Sequence, residues 1–214
     1  DELWLASVDA GSTTQLSSLG GAVAWQPGGD LLLYSDDGTV HLYDPGTGES
    51  MWQADAEIFG WSPDGSRRYW LDDGMHLSDP DGGNEVVVAG DTSGTSFVSW
   101  SPDGTRALAG FSGARVMVWP DGTATALTQD GQGFSQAQPR WSRDGSRVAV
   151  QVLTPDSGWA IYAAGDGSTL DRMTPMLSIP NTEGVGPSYG FFDETTLVYQ
   201  TPLEAGGYAL AASE

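Results

Sequence analysis

Gly60-Trp61-Ser62-Pro63-Asp64-Gly65-Ser66-Arg67 returns as Ser99-Trp100-Ser101-Pro102-Asp103-Gly104-Thr105-Arg106, and again as Arg140-Trp141-Ser142-Arg143-Asp144-Gly145-Ser146-Arg147. A weaker copy, Ala24-Trp25-Gln26-Pro27-Gly28-Gly29-Asp30, precedes them, and a degenerate one, Phe191-Phe192-Asp193-Glu194-Thr195, follows. The four tryptophans stand 36, 39 and 41 residues apart, the interval expected of a four-stranded unit of about 40 residues. In each copy an apolar stretch ending in Trp runs into the turn, where Pro presets φ and Gly accepts the positive φ of a tight reversal. The motif therefore reads as the hairpin between the first two strands of a repeated unit.

Working outward, a second short run follows each hairpin, for example Ala107 to Phe111 and Val148 to Leu153. Turn signals such as Asp36-Asp37-Gly38 and Asp72-Asp73-Gly74 then lead to a third strand, as in Val40-His41-Leu42-Tyr43 and Val116-Met117-Val118-Trp119. A polar fourth strand completes the first four units. Leu3 to Val8 and Thr13 to Ser17 match the third and fourth strands of a unit, while Tyr189 to Glu214 supplies a first, second and third. The expectation is an all-β chain, one domain over 1–214, with units starting near 22, 58, 97, 138 and 188. Closing the last unit with strands from residues 1–18 would give a five-membered ring without exposed sheet edges. The alternative is part of a six- to eight-membered ring.

The pattern Trp-Ser-Pro-Asp-Gly-Ser/Thr-Arg followed by strand, turn and strand resembles the TolB-type, WD-like β-propeller repeat, and the resemblance covers nearly the whole chain. It implies a β-propeller of four-stranded antiparallel blades and an extracytoplasmic location (periplasmic, secreted or cell-surface). It implies little about chemistry, because one fold hosts many functions.

Composition narrows the function classes. The 214 residues carry 29 acidic and eight basic side chains, all eight of them Arg, for a net charge of −21. Binding to a nucleic-acid backbone or an anionic membrane needs clustered Lys and Arg, so neither is expected as a partner. No apolar run approaches the roughly 20 residues of a spanning helix, so no direct membrane insertion is expected. The absence of Cys removes disulfides and thiolate sites from consideration. The chain opens at Asp1 without an initiator Met, which reads as a processed or trimmed product. Nine Trp, seven Tyr and six Phe are accounted for first as glue between blades. Trp25, Trp61, Trp100 and Trp141 are expected in that core, leaving one or two of Trp4, Trp52, Trp70, Trp119 and Trp159 for a partner.

Catalytic candidates are few. There is no Lys base and no Cys nucleophile. Asp36, Asp37, Asp64, Asp72, Asp73, Asp103 and Asp144 fall in hairpin signatures, where the carboxylate caps its own backbone. Arg67, Arg106 and Arg147 are read as partners of those turn aspartates. His41 and His76 are the only histidines and are read as repeat-position residues, a shared metal needing a third ligand. Asp79, Asp81 and Asn84 have an oxygen spacing that suggests calcium, with a plain turn as the rival; no cofactor is otherwise expected.

Departures from the repeat are more informative. Arg140 stands where the other copies have Ala24, Gly60 and Ser99, and is the single-residue candidate for a ligand or partner contact. The stretch Thr174 to Pro187, containing Pro175, Met176, Pro180 and Asn181, reads as a long loop insertion where a partner would dock. The functional expectation is a non-catalytic, protein-binding or scaffolding propeller, with other protein subunits and cationic ligands or segments as partners. Rivals are a glycan-cleaving five-bladed propeller, with carboxylates drawn from different blades, and the accessory propeller of a serine peptidase.

Overall fold

The computed structural model describes residues 1–88, 97–111, 114–127, 133–134, 138–153, 158–163, 177–180, 189–191, 193, 196–202 and 208–213. The chain falls into two compact units, Asp1–Thr92 and Ser93–Glu214. Among the described residues every regular element is a β-strand, and all pairings are antiparallel.

The first unit opens with a two-stranded sheet, β1 (Leu3–Ser7) and β2 (Ser12–Ser17). A four-stranded sheet follows in sequence order: β3 (Val23–Trp25), β4 (Leu32–Asp36), β5 (Thr39–Asp44) and β6 (Glu49–Asp55). A second one comprises β7 (Ile58–Trp61), β8 (Arg68–Leu71), β9 (Met75–Ser78) and β10 (Val86–Val88). In the second unit β11 (Phe97–Trp100), β12 (Ala107–Phe111), β13 (Ala114–Val118) and β14 (Ala124–Ala126) form the next sheet. In the sheet after it, β15 (Gly133–Phe134) and β16 (Arg140–Trp141) both pair with β17 (Arg147–Leu153), which continues to β18 (Gly158–Ala163) and β19 (Leu177–Pro180). A three-stranded sheet of β20 (Tyr189–Phe191), β21 (Leu197–Pro202) and β22 (Tyr208–Ser213) ends the chain.

The motif builds its turn from side chains as much as from backbone. In the copy after β7, the Ser62 amide donates to Arg67 O at 2.8 Å and the Gly65 amide to Ser62 O at 2.9 Å. Asp64 Oδ1 accepts from the Ser62 hydroxyl at 2.5 Å, the Ser66 amide at 3.1 Å and the Ser66 hydroxyl at 2.9 Å. The same set recurs around Asp103 and around Asp144. The third copy has Arg143 in place of Pro and still closes, so Ser, Asp and Gly carry the turn and Pro only presets it. Gly65 is required twice over: its φ is 69°, and a Cβ there would sit 2.1 Å from Pro27 O.

That close approach belongs to the contact between consecutive sheets. Trp61 Nε1 donates to Ala24 O at 3.0 Å, and Gln26 Nε2 donates to Gly65 O at 2.9 Å. In the second unit the equivalent indole, Trp141, donates to Ser99 O at 3.3 Å. Each hook joins one repeat tryptophan to the residue just before the previous one. Around the first hook, Leu33, Val40, Leu42, Ala56, Trp61 and Trp70 make one buried cluster. The opposite face of the β3–β6 sheet buries Leu32, Tyr34 and Tyr43 under Leu3, Leu5 and Leu16 of β1 and β2. The second unit has a larger core that includes Met117, Trp119, Val150 and Tyr162.

Ser12–Ser17 pairs with β1 as a hairpin, with Gly11 at φ 61° making the reversal. Two expectations are corrected. Trp25, placed in the core by its repeat position, is 51% exposed, whereas Trp61 is 8% exposed. The stretch Thr174 to Pro187 is not all loop: β19 lies within it and pairs with β18, Pro180 opposite Gly158. A Pro at the end of an edge strand forfeits no ladder bond, which is where sheets tolerate it.

Two outcomes are expected. Trp61→Phe keeps the ring but loses the hook, and should lower the urea-derived stability by about 1 kcal/mol, whereas Trp25→Phe should change it by less than about 0.5 kcal/mol; equal effects would dismiss the hook as a stabiliser. Burial raises the Asp64 and Asp103 carboxyls, but their Ser, Thr and amide donors outweigh it and hold both below the ordinary value. The Ser146 amide and the Ser142 and Ser146 hydroxyls bring Asp144 down to about 2. Groups with depressed folded pKa values stabilise above their unfolded pKa. Urea midpoints should therefore decline as pH falls below about 4 toward 2, with a shallower decline in Asp103→Ala.

Candidate functional site

β8 and β9 present alternate side chains to each face of their sheet. The register pairs Arg68 with Ser78 and Trp70 with His76, so these four share a face, the one packed toward Trp52 of β6. Trp52 and Trp70 meet edge-on with centroids 4.6 Å apart. The Arg68 guanidinium carbon lies 4.1 Å from the Trp52 ring centroid and 5.4 Å from that of Trp70. Arg68 is 1% exposed. Its Nε donates to Ser78 Oγ at 2.7 Å, while Nη1 is buried without a hydrogen-bond partner. Burial depresses its pKa, an effect opposed by the negative charges of Glu85 and Asp81. The cation is thus held by aromatic faces rather than by a contacting carboxylate.

Across the register from Trp70, the His76 imidazole stacks on its ring, 4.8 Å between centroids and 17° from parallel. Its Nδ1 donates to Glu85 Oε1 at 2.9 Å, and Nε2 stands 2.7 Å from Asp72 Oδ1 and 3.6 Å from Asp73 Oδ1. Burial alone would lower the imidazole pKa, but the contacts with Glu85 and Asp72 reverse it, and the net shift is upward. Asp72, Asp73 and His76 place one ligand atom each within 4.8 Å of one another, the group among the described residues that could hold a metal ion. The raised pKa works against that use, since a ligating imidazole must give up its proton. What the arrangement does chemically is favour the protonated form of an imidazole set among carboxylates at the edge of an Arg–Trp stack.

The residues singled out from sequence lie elsewhere. Asp79 Oδ1 accepts from Arg67 Nη1 at 3.0 Å and Oδ2 from Asn84 Nδ2 at 2.6 Å, while Asp81 Oδ1 accepts from the Gly83 amide at 2.9 Å. Turn chemistry accounts for all three, with Asn84 itself at φ 49°. Arg67 therefore partners Asp79 rather than its turn aspartate, whereas Arg106 does reach Asp103, at 3.4 Å. Arg140 is exposed on β16 opposite Ala149. Pro180 closes β19, and Pro175, Met176 and Asn181 lie outside the described residues. His41 stacks on Tyr34 at 4.9 Å and takes no part in the His76 group.

Sequence reasoning missed Arg68, although a signal existed. It follows the motif where the other copies have Ala107 and Val148, both fully buried. A charge at a core position is as clear a departure from the repeat as Arg140. Arg115, fully buried with its guanidinium 4.9 Å from the Phe97 ring, repeats the lesson in the second unit.

No protein-family model and no curated protein matches the chain. Solved β-propeller structures do. Kluyveromyces lactis Hsv2 matches all of this chain and 79% of its own length, with a TM-score of 0.61 and 10% identity. The dihydro-heme d1 dehydrogenase NirN matches over 94% of this chain and 47% of its own, with a TM-score of 0.60 and 16% identity. Kuenenia stuttgartiensis hydrazine synthase is matched over 89% of this chain at 17% identity and a TM-score of 0.49, and this chain spans 60% of its length. At such identities the likeness is one of fold: four-stranded antiparallel sheets in the manner of a β-propeller.

The raised His76 pKa has a measurable consequence. Stability drawn from the imidazolium is complete below the ordinary value of 6.5 and is lost as pH rises through the folded value. The stability difference between the native protein and His76→Gln should therefore be largest near pH 6 and shrink by pH 9, read from urea unfolding at each pH. A difference independent of pH would remove the charge from the account.

Proposed function

We propose that this chain is a non-catalytic, extracytoplasmic propeller of TolB-type repeats that binds other proteins. One observation carries the reading: the groups on which chemistry would draw are spent on building blades. Asp64, Asp103 and Asp144 each cap a turn, Arg68 is buried against tryptophans, and His76 is clamped among carboxylates. What is left to act on its surroundings is an acidic exterior, with a formal charge of −21 and no lysine. Such a surface attracts cationic segments of partners and repels polyanions. The repeated Trp-Ser-Pro-Asp-Gly-Ser/Thr-Arg supports the TolB-type assignment, and the location follows from that resemblance.

The composition also supplies the test. Carbodiimide coupling joins carboxylates to amines, and residues 1–214 offer 29 carboxylate side chains but no lysine, so links formed by this chain run almost entirely to other molecules. Applied to intact cells with a membrane-impermeant carbodiimide, it should return links to lysines of one recurrent extracytoplasmic protein. Links only to cytosolic proteins, or turnover of a glycan panel by the purified protein, would overturn the reading.

A further inference from the structure

The loop between β8 and β9 gathers carboxylates around one imidazole. Asp72 and Asp73 lie in that loop, His76 is on β9 and Glu85 precedes β10, so the whole group belongs to one sheet of the first unit. Stacking on Trp70 fixes the plane of the ring, and Glu85 Oε1 accepts from Nδ1 at 2.9 Å. A proton kept on Nδ1 leaves the Nε2 lone pair facing the loop, which is how a carboxylate commonly orients a metal-binding histidine. Nε2 is buried and no hydrogen bond satisfies it, although Asp72 Oδ1 stands 2.7 Å away and Asp73 Oδ1 3.6 Å away. Asp72 is set in place by the Gly74 amide, which donates to Oδ1 at 3.2 Å. The Asp73 side chain is 98% exposed and has room to turn inward.

We propose that Asp72, Asp73 and His76 form a binding site for a divalent cation of the zinc class, with Nε2 and one oxygen of each aspartate as ligands and Glu85 holding the imidazole from behind. The distances suit an ion. Ligands about 2.0–2.1 Å from one zinc stand about 2.9 Å apart at a right angle and about 3.4 Å apart at the tetrahedral angle, and the two N···O separations bracket that range. A proton bridges one pair of atoms, whereas an ion answers all three, which lie within 4.8 Å of one another. The carboxylates that favour a proton on Nε2 favour a divalent cation for the same reason, and the ion displaces the proton. An imidazole nitrogen among the donors favours zinc and its neighbours over calcium and magnesium, which take oxygen ligands.

The β3–β6 sheet supplies an internal contrast. It carries the same residue types, Asp36, Asp37 and His41, with Tyr34 across from His41 as Trp70 is from His76. There the histidine stands five residues after the first aspartate, against four from Asp72 to His76, and among the described residues it is Asp72, Asp73 and His76 that gather. The tighter spacing makes the site. The inference does not depend on the scaffold reading, since a bound ion neither requires nor excludes catalysis.

The probe is zinc chloride, titrated calorimetrically into chelator-treated protein of residues 1–214 at about pH 8, where protons compete little for the imidazole. About one equivalent should bind, and in nitrogen-15 NMR of the imidazoles His76 Nε2 should move far more than His76 Nδ1. Asp73→Asn, a change on an exposed side chain, should weaken binding at least about tenfold, His76→Gln should abolish it, and His41→Gln should bind as the native protein does. Because His76 packs on Trp70, His76→Gln could fail to fold; the Nε2 shift in the unsubstituted protein and the Asp73→Asn affinity then decide the matter. Zinc uptake that leaves the His76 nitrogens unmoved, equal affinity in Asp73→Asn, or calcium bound as tightly as zinc would each overturn the proposal.

Discussion

A four-stranded sheet with apolar side chains on both faces cannot stand alone in water, and the indole hook is how this chain holds one such sheet to the next. Trp61 spans the gap to Ala24 O, buries its ring against Leu33 and Leu42, and fixes the spacing at which Gln26 reaches Gly65 O. The bond itself is a modest contribution of about 1 kcal/mol. Its larger role is geometric: a carbonyl on an innermost strand can be reached by one indole only, so the contact sets register as well as distance. The glycine of the motif is part of the same contact, because a side chain at Gly65 would collide with the Pro27 carbonyl. Turn and interface therefore cannot be varied independently.

The polar groups obey a different rule. Burying the Arg68 guanidinium beside tryptophan faces, with a single hydroxyl on Nε, leaves a desolvated cation whose compensation is largely aromatic. Elsewhere in unit 1 acids such as Asp64 are placed where donors already exist, at turn amides and hydroxyls, and the Asp64 carboxyl is held below its ordinary value. His76 joins these two environments, with its ring on the Trp70 face and its nitrogens among carboxylates. In a chain with 29 acids and eight bases, His76 answers several carboxylates and Arg68 and Arg115 lie against aromatic rings. Truncating one of them exposes like charges to one another, which surface ion pairs rarely do.

How much of this could be read from residues differs by element. The hairpins and their spacing were legible because Ser, Asp and Gly act locally, within six residues of the tryptophan. The order of strands within each four-stranded sheet followed from that periodicity. The pairing of Ser12–Ser17 with β1 was legible too, because the reversal at Gly11 between them is local. Trp25 was misplaced for the converse reason: its motif is local, but its burial depends on a neighbour that the motif does not encode. Arg68 departs from the repeat at a core position, but its stacking on Trp52 and Trp70, and that of His76 on Trp70, joins positions from 52 to 76, and no short-range pattern announces those partners. The stretch around β19 looked like an insertion because its prolines suggested a loop, while Leu177, Ser178 and Ile179 supply the alternation of a short edge strand.

The same reasoning explains why the exposed apolar surface is concentrated where it is. Each unit makes one hook, Trp61 to Ala24 O and Trp141 to Ser99 O, and on the first four-stranded sheet Trp25 is left half exposed. Its exposure is thus not a flaw in the packing of β3, whose other face is sealed by Trp61. It falls on the side of that sheet where the cover given by the two-stranded β1–β2 sheet stops at Leu32 and Tyr34.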